Sequence, residues 1–310
     1  EAFAPQASRP GKVTPYDILP QYAKHVAQFA HLKRPVHLAI DFANGMGIWE
    51  AKTLKGILTW DGLFEEPDGR FPNHEANPLN TATLKDLQAK VRAGTYAFGV
   101  AYDGDADRAG FVDEKGDIIP MDLITALVAQ DVLTTRKGVI FYDLRSSRVV
   151  KEVIEAAGGT PMMSRVGHAF IKQQMREHDA IFAGELSGHY YFKDNFTAES
   201  SAMAILSLAN IVSRSDRPLS ALIAPLRKYF ASGEINTRVS RAPQAILDEI
   251  RAKYADGHSF DLDGVSVEYA DWWFNVRCSN TEPLVRLNLE AKTPEVMERK
   301  RDELLAVIRN

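Results

Sequence analysis

Asp103-Gly104-Asp105-Ala106-Asp107-Arg108 sets three carboxylates at alternating positions with only Gly and Ala between them. Two carboxylates about 4 Å apart repel by roughly 4 kcal/mol at an effective dielectric near 20, and Arg108 alone does not offset three converging charges. The cluster therefore wants a divalent cation. Carboxylate-only ligands suit a hard ion, Mg2+ ahead of Ca2+ or Mn2+, and leave coordination places for water and a phosphate oxygen. The spacing also matches the start of an EF-hand loop, with Glu114 where the bidentate carboxylate would fall. Arg108 stands where that loop needs glycine, and the apolar run Tyr96 to Tyr102 reads as a buried strand where a helix is required. The reading is a metal loop fed by a strand, followed by a hairpin of Ala109 to Val112 and Asp117 to Ile119; the bland alternative is a solvated acidic turn.

Two further segments carry chemistry. Gly184-Glu185-Leu186-Ser187-Gly188-His189 follows the short apolar run Ala180 to Ala183, which puts it at the carboxyl end of a strand, where α/β folds bind ligands. A carboxylate that accepts and a hydroxyl that gives or takes a hydrogen bond suit vicinal sugar hydroxyls. Arg277-Cys278-Ser279-Asn280-Thr281-Glu282-Pro283 lies between the strand-like runs Trp272 to Val276 and Leu284 to Leu289. Its guanidinium, hydroxyl and amide donors in one turn make an anion cradle, with an ordinary polar hairpin as the alternative.

The elements that must position these loops alternate between helix and strand. Glu1 to Lys12 reads as a linker. Pro15 opens a helix with Ile18, Leu19, Tyr22, Val26 and Phe29 on one face, followed by a strand at Val36 to Ile40 and a helix from Asn80 to Arg92. A second α/β unit has helices Asp122 to Thr134, Ser147 to Ala157, Glu199 to Arg214 and Leu219 to Lys228, with strands Val139 to Tyr142 and Thr160 to Met163; Gly158 and Gly159 stop one of the helices. Strands then return in number with helices Pro243 to Tyr254 and Pro294 to Arg309, as in a smaller α+β unit where Trp272 and Trp273 pack in the sheet. His178 reads as a solvated helix end. Gly45 and Gly47 lack the third glycine and the acidic residue of a dinucleotide site. The expected division is a linker over 1–12, α/β domains over 13–114 and 115–229, and an α+β domain over 230–310.

Composition sets bounds on partners and compartment. The 310 residues, 45% hydrophobic and 25% charged, suffice for two or three cores. A net charge of -4 gives no electrostatic footprint for nucleic acid. One cysteine, Cys278, excludes an internal disulfide and fits a reducing cytoplasm, and no apolar run approaches the roughly 20 residues of a membrane span. The opening residues are not expected to form a signal peptide.

The three loops, in this order, resemble the α-D-phosphohexomutase superfamily, most closely its phosphomannomutase/phosphoglucomutase branch. Asp41-Phe42-Ala43-Asn44-Gly45-Met46-Gly47, Phe71-Pro72-Asn73-His74 before Asn77-Pro78-Leu79, and Val166-Gly167-His168 belong to the same resemblance. It implies two successive α/β domains with mixed sheets followed by a smaller α+β domain. It also implies an enzyme that interconverts hexose 1-phosphate and 6-phosphate, of mannose or glucose, through a hexose 1,6-bisphosphate. Asp103, Asp105 and Asp107 would hold Mg2+ beside a phosphoserine, and Arg108 would help neutralise the transferring group. Glu185 and Ser187 would bind sugar hydroxyls, with His189 as a proton carrier. Arg277, Ser279, Asn280 and Thr281 would hold the phosphate that is not reacting, and His168 would contact the substrate or assist proton transfer. Arg145 stands where the family often has lysine; it keeps a substrate-contacting cation but stays charged. No Thr-Ala-Ser-His-Asn-Pro type segment, the phosphoserine signature, occurs in the chain. The resemblance therefore covers the second to fourth domains, with the phosphoserine domain expected as an N-terminal covalent neighbour and these residues inactive alone. The other readings are phosphoglucosamine mutase, where Gln commonly replaces the Leu of Glu-Leu-Ser-Gly-His, a non-catalytic sugar-phosphate-binding protein, and a metal phosphatase.

Overall fold

The computed structural model describes residues 9, 11–278 and 284–310. In the first unit, α1 (Leu19–Ala27), β1 (His37–Asp41), α2 (Gly47–Lys52), β2 (Thr59–Leu63), α3 (Lys85–Ala93), β3 (Phe98–Tyr102), β4 (Ala109–Val112) and β5 (Ile118–Ile119) follow in chain order. Their sheet runs β2-β1-β3-β4-β5, with β1 parallel to β2 and β3, and β4 and β5 antiparallel additions. The second unit contains α4 (Met121–Thr135), β6 (Val139–Asp143), α5 (Arg148–Ala156), β7 (Thr160–Ser164), α6 (His168–Glu177), β8 (Phe182–Gly184), β9 (Tyr190–Phe192), β10 (Ala198–Glu199), α7 (Ser201–Arg214) and α8 (Leu219–Ile223). Its sheet order, β10-β9-β8-β6-β7, is the same topology repeated, again mixed. The third unit is an antiparallel sheet, β11 (Phe230–Arg238), β12 (His258–Phe260), β13 (Val265–Glu268), β14 (Trp272–Cys278) and β15 (Leu284–Ala291), with α9 (Pro243–Lys253) and α10 (Pro294–Arg309). The expected architecture, two mixed α/β sheets and then a smaller α+β unit, is the one observed.

Strand alternation decides what each sheet face meets. Leu38, Ile40, Phe98 and Val100 point to one side of the first sheet, while Ala39 and Ala101 point to the other, where Leu87 and Val91 of α3 cover them. In the second sheet Ile140 and Tyr142 face the same shared core, and Phe141 faces Ile171 and Met175 of α6. Helices α4 and α7 fill the space between the two sheets. Both are apolar around nearly their whole circumference, as helices buried on all sides must be. Phe111 of the first sheet meets Tyr190 of the second edge to face, 6.1 Å between ring centroids. Each fully buried large apolar side chain contributes about 1.5–3 kcal/mol, so the two sheets are joined through one continuous core. In the third unit Trp272, Phe274 and Val276 face α9 and α10, and the opposite face carries Trp273, Asn275 and Arg277. Both tryptophans pack in the sheet as expected.

Several boundaries move, each for a local reason. The helix expected from Pro15 begins at Leu19, with Pro20 in its first turn; Val13, Tyr16 and Ile18 are exposed, so the apolar pattern ahead of Leu19 has no surface to pack on. The helix expected from Asn80 opens with a 3-10 turn, Thr81–Leu84, capped by Asn80, whose side chain accepts from Ala82 N at 3.2 Å. The helix expected to run to Lys228 stops at Ile223, because Pro225 cannot donate the next backbone bond and the chain tightens into a 3-10 turn at Ala224–Leu226. Arg277 was expected in a turn but lies within β14. Ser279, Asn280 and Thr281 lie outside the described residues. Glu114 accepts from Ser220 N at 3.0 Å and Ser220 Oγ at 2.5 Å, away from the acidic triplet, which removes the EF-hand alternative. Among the described residues no helix is long and apolar enough to cross a membrane.

Helix α4 crosses β8 so closely that a Cβ on Gly184 would lie 2.8 Å from Cβ of Thr125, and nearer still to its methyl and hydroxyl. Thr125 is fully buried and its hydroxyl donates to Met121 O, so it has little room to yield. Gly184→Ala is expected to lower the unfolding free energy by about 1–3 kcal/mol, measured by urea denaturation followed by far-ultraviolet circular dichroism.

Candidate active site

The acidic loop spans from the end of β3 to the start of β4 and is closed on itself. Arg108 N donates to Asp103 Oδ1 at 3.2 Å and Arg108 Nε to Asp103 Oδ2 at 2.6 Å. Ala106 takes a left-handed φ of 65°, turning the loop between Asp105 and Asp107, and its carbonyl accepts from Ser201 Oγ at 2.8 Å. From beneath, Met46 N donates to Gly104 O at 2.9 Å, and a Cβ on Gly45 would sit 2.7 Å from that same oxygen. Glycine at 45 is thus what lets the loop after β1 support the acidic one. One oxygen each from Asp103, Asp105 and Asp107 falls within 4.8 Å of the others. Burial raises the pKa of Asp103 more than Arg108 lowers it, so the loop leaves this carboxylate short of positive charge. Three converging carboxylates with no sulfur or imidazole among them fit a hard divalent cation.

The second loop leads from β8 to β9, the place in the second sheet that the acidic loop occupies in the first. Glu185 is 2% exposed, accepting from Tyr191 OH at 2.6 Å and from Gly167 N at 3.2 Å. Burial raises its pKa, yet His189 and Tyr191 outweigh that and hold it below the usual carboxylate range. His189 stands between the loops. Its Nε2 is 3.3 Å from Asp107 Oδ2, and its Nδ1 is 3.3 Å from Glu185 Oε2 and 2.8 Å from Ser187 Oγ. Burial pulls its pKa down, but the hydrogen bonds to Asp107 and Glu185 prevail and push it up to about 9. A backbone bond, Ala109 N to Gly188 O at 3.1 Å, ties the same two loops. His168 stacks on His189 with centroids 6.2 Å apart and has Nδ1 3.5 Å from Glu199 Oε1, where Lys172 also binds at 2.9 Å.

The third group is cationic. Asp143, at the end of β6, accepts from Arg145 N at 2.8 Å, and from Arg145 Nη2 at 2.7 Å and Nε at 3.2 Å through its two oxygens; it also accepts from Leu186 N at 2.8 Å. Arg145 is therefore fixed to the sugar-type loop. Burial would lower its pKa, but Asp143, Glu234 and Glu185 raise it further, so it stays protonated. Across the cleft Arg277 Nη2 donates to Glu234 Oε2 at 2.5 Å; Arg145 Nη1 lies 3.6 Å from the same oxygen, and Arg286 Nη1 lies 3.9 Å from Oε1. Beside Arg145 is a cavity of about 280 Å³, lined also by Leu186, Trp273, Asn288 and Glu290 among others.

The structure thus brings Asp103, Asp105, Asp107, Arg108, Glu185, Ser187, His189 and His168 into one contiguous group, with Arg145 joined to it through Asp143 and Leu186, and Arg277 reached through Glu234. Sequence reasoning missed Asp143, Glu199, Lys172, Tyr191, Glu234 and Arg286. Asp143 had a signal: it closes β6 as Asp41 closes β1, and each carboxylate caps the turn that follows, Asp41 Oδ1 accepting from Ala43 N at 2.9 Å. Glu234 had none, because its partners lie 43 and more residues away or in another unit.

Comparison with known proteins identifies the family. Family models of phosphoglucomutase/phosphomannomutase match the chain in three consecutive stretches: alpha/beta/alpha domain II over residues 20–116, alpha/beta/alpha domain III over 120–229 and the C-terminal domain over 234–307. The phosphomannomutase of Methanocaldococcus jannaschii is 41% identical over 274 residues, 87% of this chain and 61% of that protein. A phosphomannomutase of Escherichia coli is 35% identical over 317 residues, 97% of this chain and 69% of that one. The crystal structure of a phosphoglucomutase/phosphomannomutase family protein from Burkholderia thailandensis superposes with a TM-score of 0.86 at 34% identity, covering 94% of this chain and 64% of that chain. The chain spans about three fifths to two thirds of the length of these relatives. Three successive domain matches, in the order in which the acidic loop, the sugar-type loop and the arginine strand occur, make this chain a member of the phosphoglucomutase/phosphomannomutase family.

Proposed function

We propose that the cleft belongs to a phosphohexomutase that interconverts the 1- and 6-phosphates of mannose or glucose through a hexose 1,6-bisphosphate. The observation that carries this reading is the position of His189, which touches Asp107 of the acidic loop and Glu185 of the sugar-type loop at once. Phosphoryl transfer depends on positioning and on charge placed near the phosphoryl oxygens. Asp103, Asp105 and Asp107 would hold Mg2+, which when bound supplies positive charge beside those oxygens. Arg108, anchored to Asp103, keeps a second positive charge at the same edge. Glu185 and Ser187 orient sugar hydroxyls, and His189 holds a proton between Asp107 and Glu185 within reach of such a hydroxyl. His168, with 59% of its side chain exposed, offers a contact from the open side. Arg145 and Arg277, drawn from two units and meeting at Glu234, orient the phosphate that is not reacting, together with Ser279, Asn280 and Thr281. A reducing cytoplasm is the compartment that the single cysteine suits.

A mutase of this kind also needs a phosphoryl donor, and the 310 residues contain no phosphoserine signature. That observation favours, as a second reading, sugar-phosphate binding without catalysis by these residues; phosphoglucosamine mutase remains the alternative branch, distinguished by the residue at Leu186.

Two outcomes are expected. Mn2+ or Mg2+ titrated into the purified chain should bind, and Asp103→Asn or Asp107→Asn should weaken that binding by more than the ~10–100-fold typical of outer-shell changes; unchanged affinity removes the metal site. The 310-residue chain should bind hexose 6-phosphate by calorimetry yet show no mutase turnover with a hexose 1,6-bisphosphate activator, and Arg277→Gln should weaken binding by roughly 10–100-fold, the loss of a charge-assisted hydrogen bond. Robust turnover by a mass-verified chain would overturn the inactivity.

A further inference from the structure

Glu234 sits among three arginines drawn from two units of the fold. The bulge in β11, between Ala231 and Glu234, breaks the register with β15 and is made possible by Gly233 at a φ of 69°. Beyond it Glu234 pairs with Asn288 and shares a sheet face with Arg286 and Arg277. Arg277 is nine-tenths buried. A buried guanidinium without a counter-charge is costly, and Glu234 is the carboxylate that Arg277 meets. Burial would raise the pKa of Glu234, but Arg277, Arg145 and Arg286 outweigh it and hold the group ionised. A carboxylate and a phosphate make the same demand on a guanidinium fork, two oxygens set against two N–H groups. Arg277 Nη2 is already committed to Glu234, while the Nε atoms of Arg277 and Arg286 are buried with no hydrogen-bond partner among the described residues. An incoming phosphate must therefore displace a like charge from donors that it needs.

We infer that Glu234 is an internal anion that occupies the cleft's arginines while no phosphate is bound, and surrenders Arg277 when a phosphate arrives. It is a positioning residue that acts through the arginines, and the inference rests on reading Arg277 as a phosphate ligand. The consequence is a phosphate grip that is deliberately weakened. A ligand that must release one phosphate and be recaptured by the other needs such a grip, and the ligand-free cleft needs its arginines neutralised.

The test is calorimetric titration of the 310-residue chain with inorganic phosphate and, separately, with glucose 6-phosphate. Glu234→Gln keeps the shape and removes the charge. It is expected to tighten phosphate binding by roughly tenfold, whereas a residue that merely holds the arginines in place would weaken binding when changed. Equal or weaker binding by a variant with a cooperative thermal transition overturns the inference. If Glu234→Gln does not fold, Glu234→Asp, which retracts the carboxylate by one methylene, should shift affinity in the same direction by a smaller factor, and absence of any gain overturns it equally. Arg277→Gln separates the two ideas. Loss of phosphate binding in that variant with no gain in Glu234→Gln refutes the competing role alone, and unchanged binding in Arg277→Gln removes the phosphate-ligand reading itself.

Discussion

His189 sits where two acidic loops would otherwise push each other apart. Asp107 and Glu185 each lie 3.3 Å from its ring, and the imidazole stays protonated because it has a carboxylate on either side. The same arrangement recurs around the cleft. Asp103 is held by Arg108, Asp143 by Arg145, and Glu234 by Arg277. Each carboxylate is largely or fully buried, and each would be costly unpaired. The cleft can therefore concentrate negative charge at the acidic triplet and positive charge around Glu234 without either collapsing.

That pairing needs loops held in fixed positions, and the layers behind them supply the rigidity. Helices α4 and α7 serve both sheets, so the acidic and sugar-type loops are carried on one packed body rather than on two that move independently. The close approaches at Gly45, to Gly104 O, and at Gly184, to Thr125, show how little space separates the supporting backbones. The third unit has a core of its own and reaches the others through polar contacts: Glu290 accepting from Arg148 N at 3.0 Å, Arg148 Nη2 donating to Tyr269 O at 2.7 Å, and the Glu234 cluster. The arginine side of the cleft is thus the side on which adjustment is cheapest.

Much of this was legible in the residues. The acidic triplet announces itself because carboxylates at alternating positions with Gly and Ala between them have few other uses, and the strand before it is a continuous apolar run. Leu38 to Ile40, Phe98 to Val100 and Ile140 to Tyr142 could be read as buried strands for the same reason. Helix starts were harder. Ile18 continues the apolar period of α1 yet is exposed, and periodicity cannot tell whether a partner surface exists. Pairings between distant segments were out of reach: Glu234 with Arg145, Glu199 with Lys172 and His168, and Tyr191 with Glu185 depend on sheet register and on which faces meet. Arg277 was identified by type, but its place inside a strand, facing a carboxylate from β11, depends on a bulge that the sequence marks only by Gly233.

The two α/β sheets share one strand order, and their working loops both spring from the carboxyl end of the third strand in that order. In one copy the loop opens with Asp103, in the other with Glu185. A single strand order thus presents different side chains in each sheet, three carboxylates on one loop and Glu185, Ser187 and His189 on the other, while the shared helical layer joins the two sheets. The repeated strand order sets where each loop stands, and the side chains it carries set what that loop can hold.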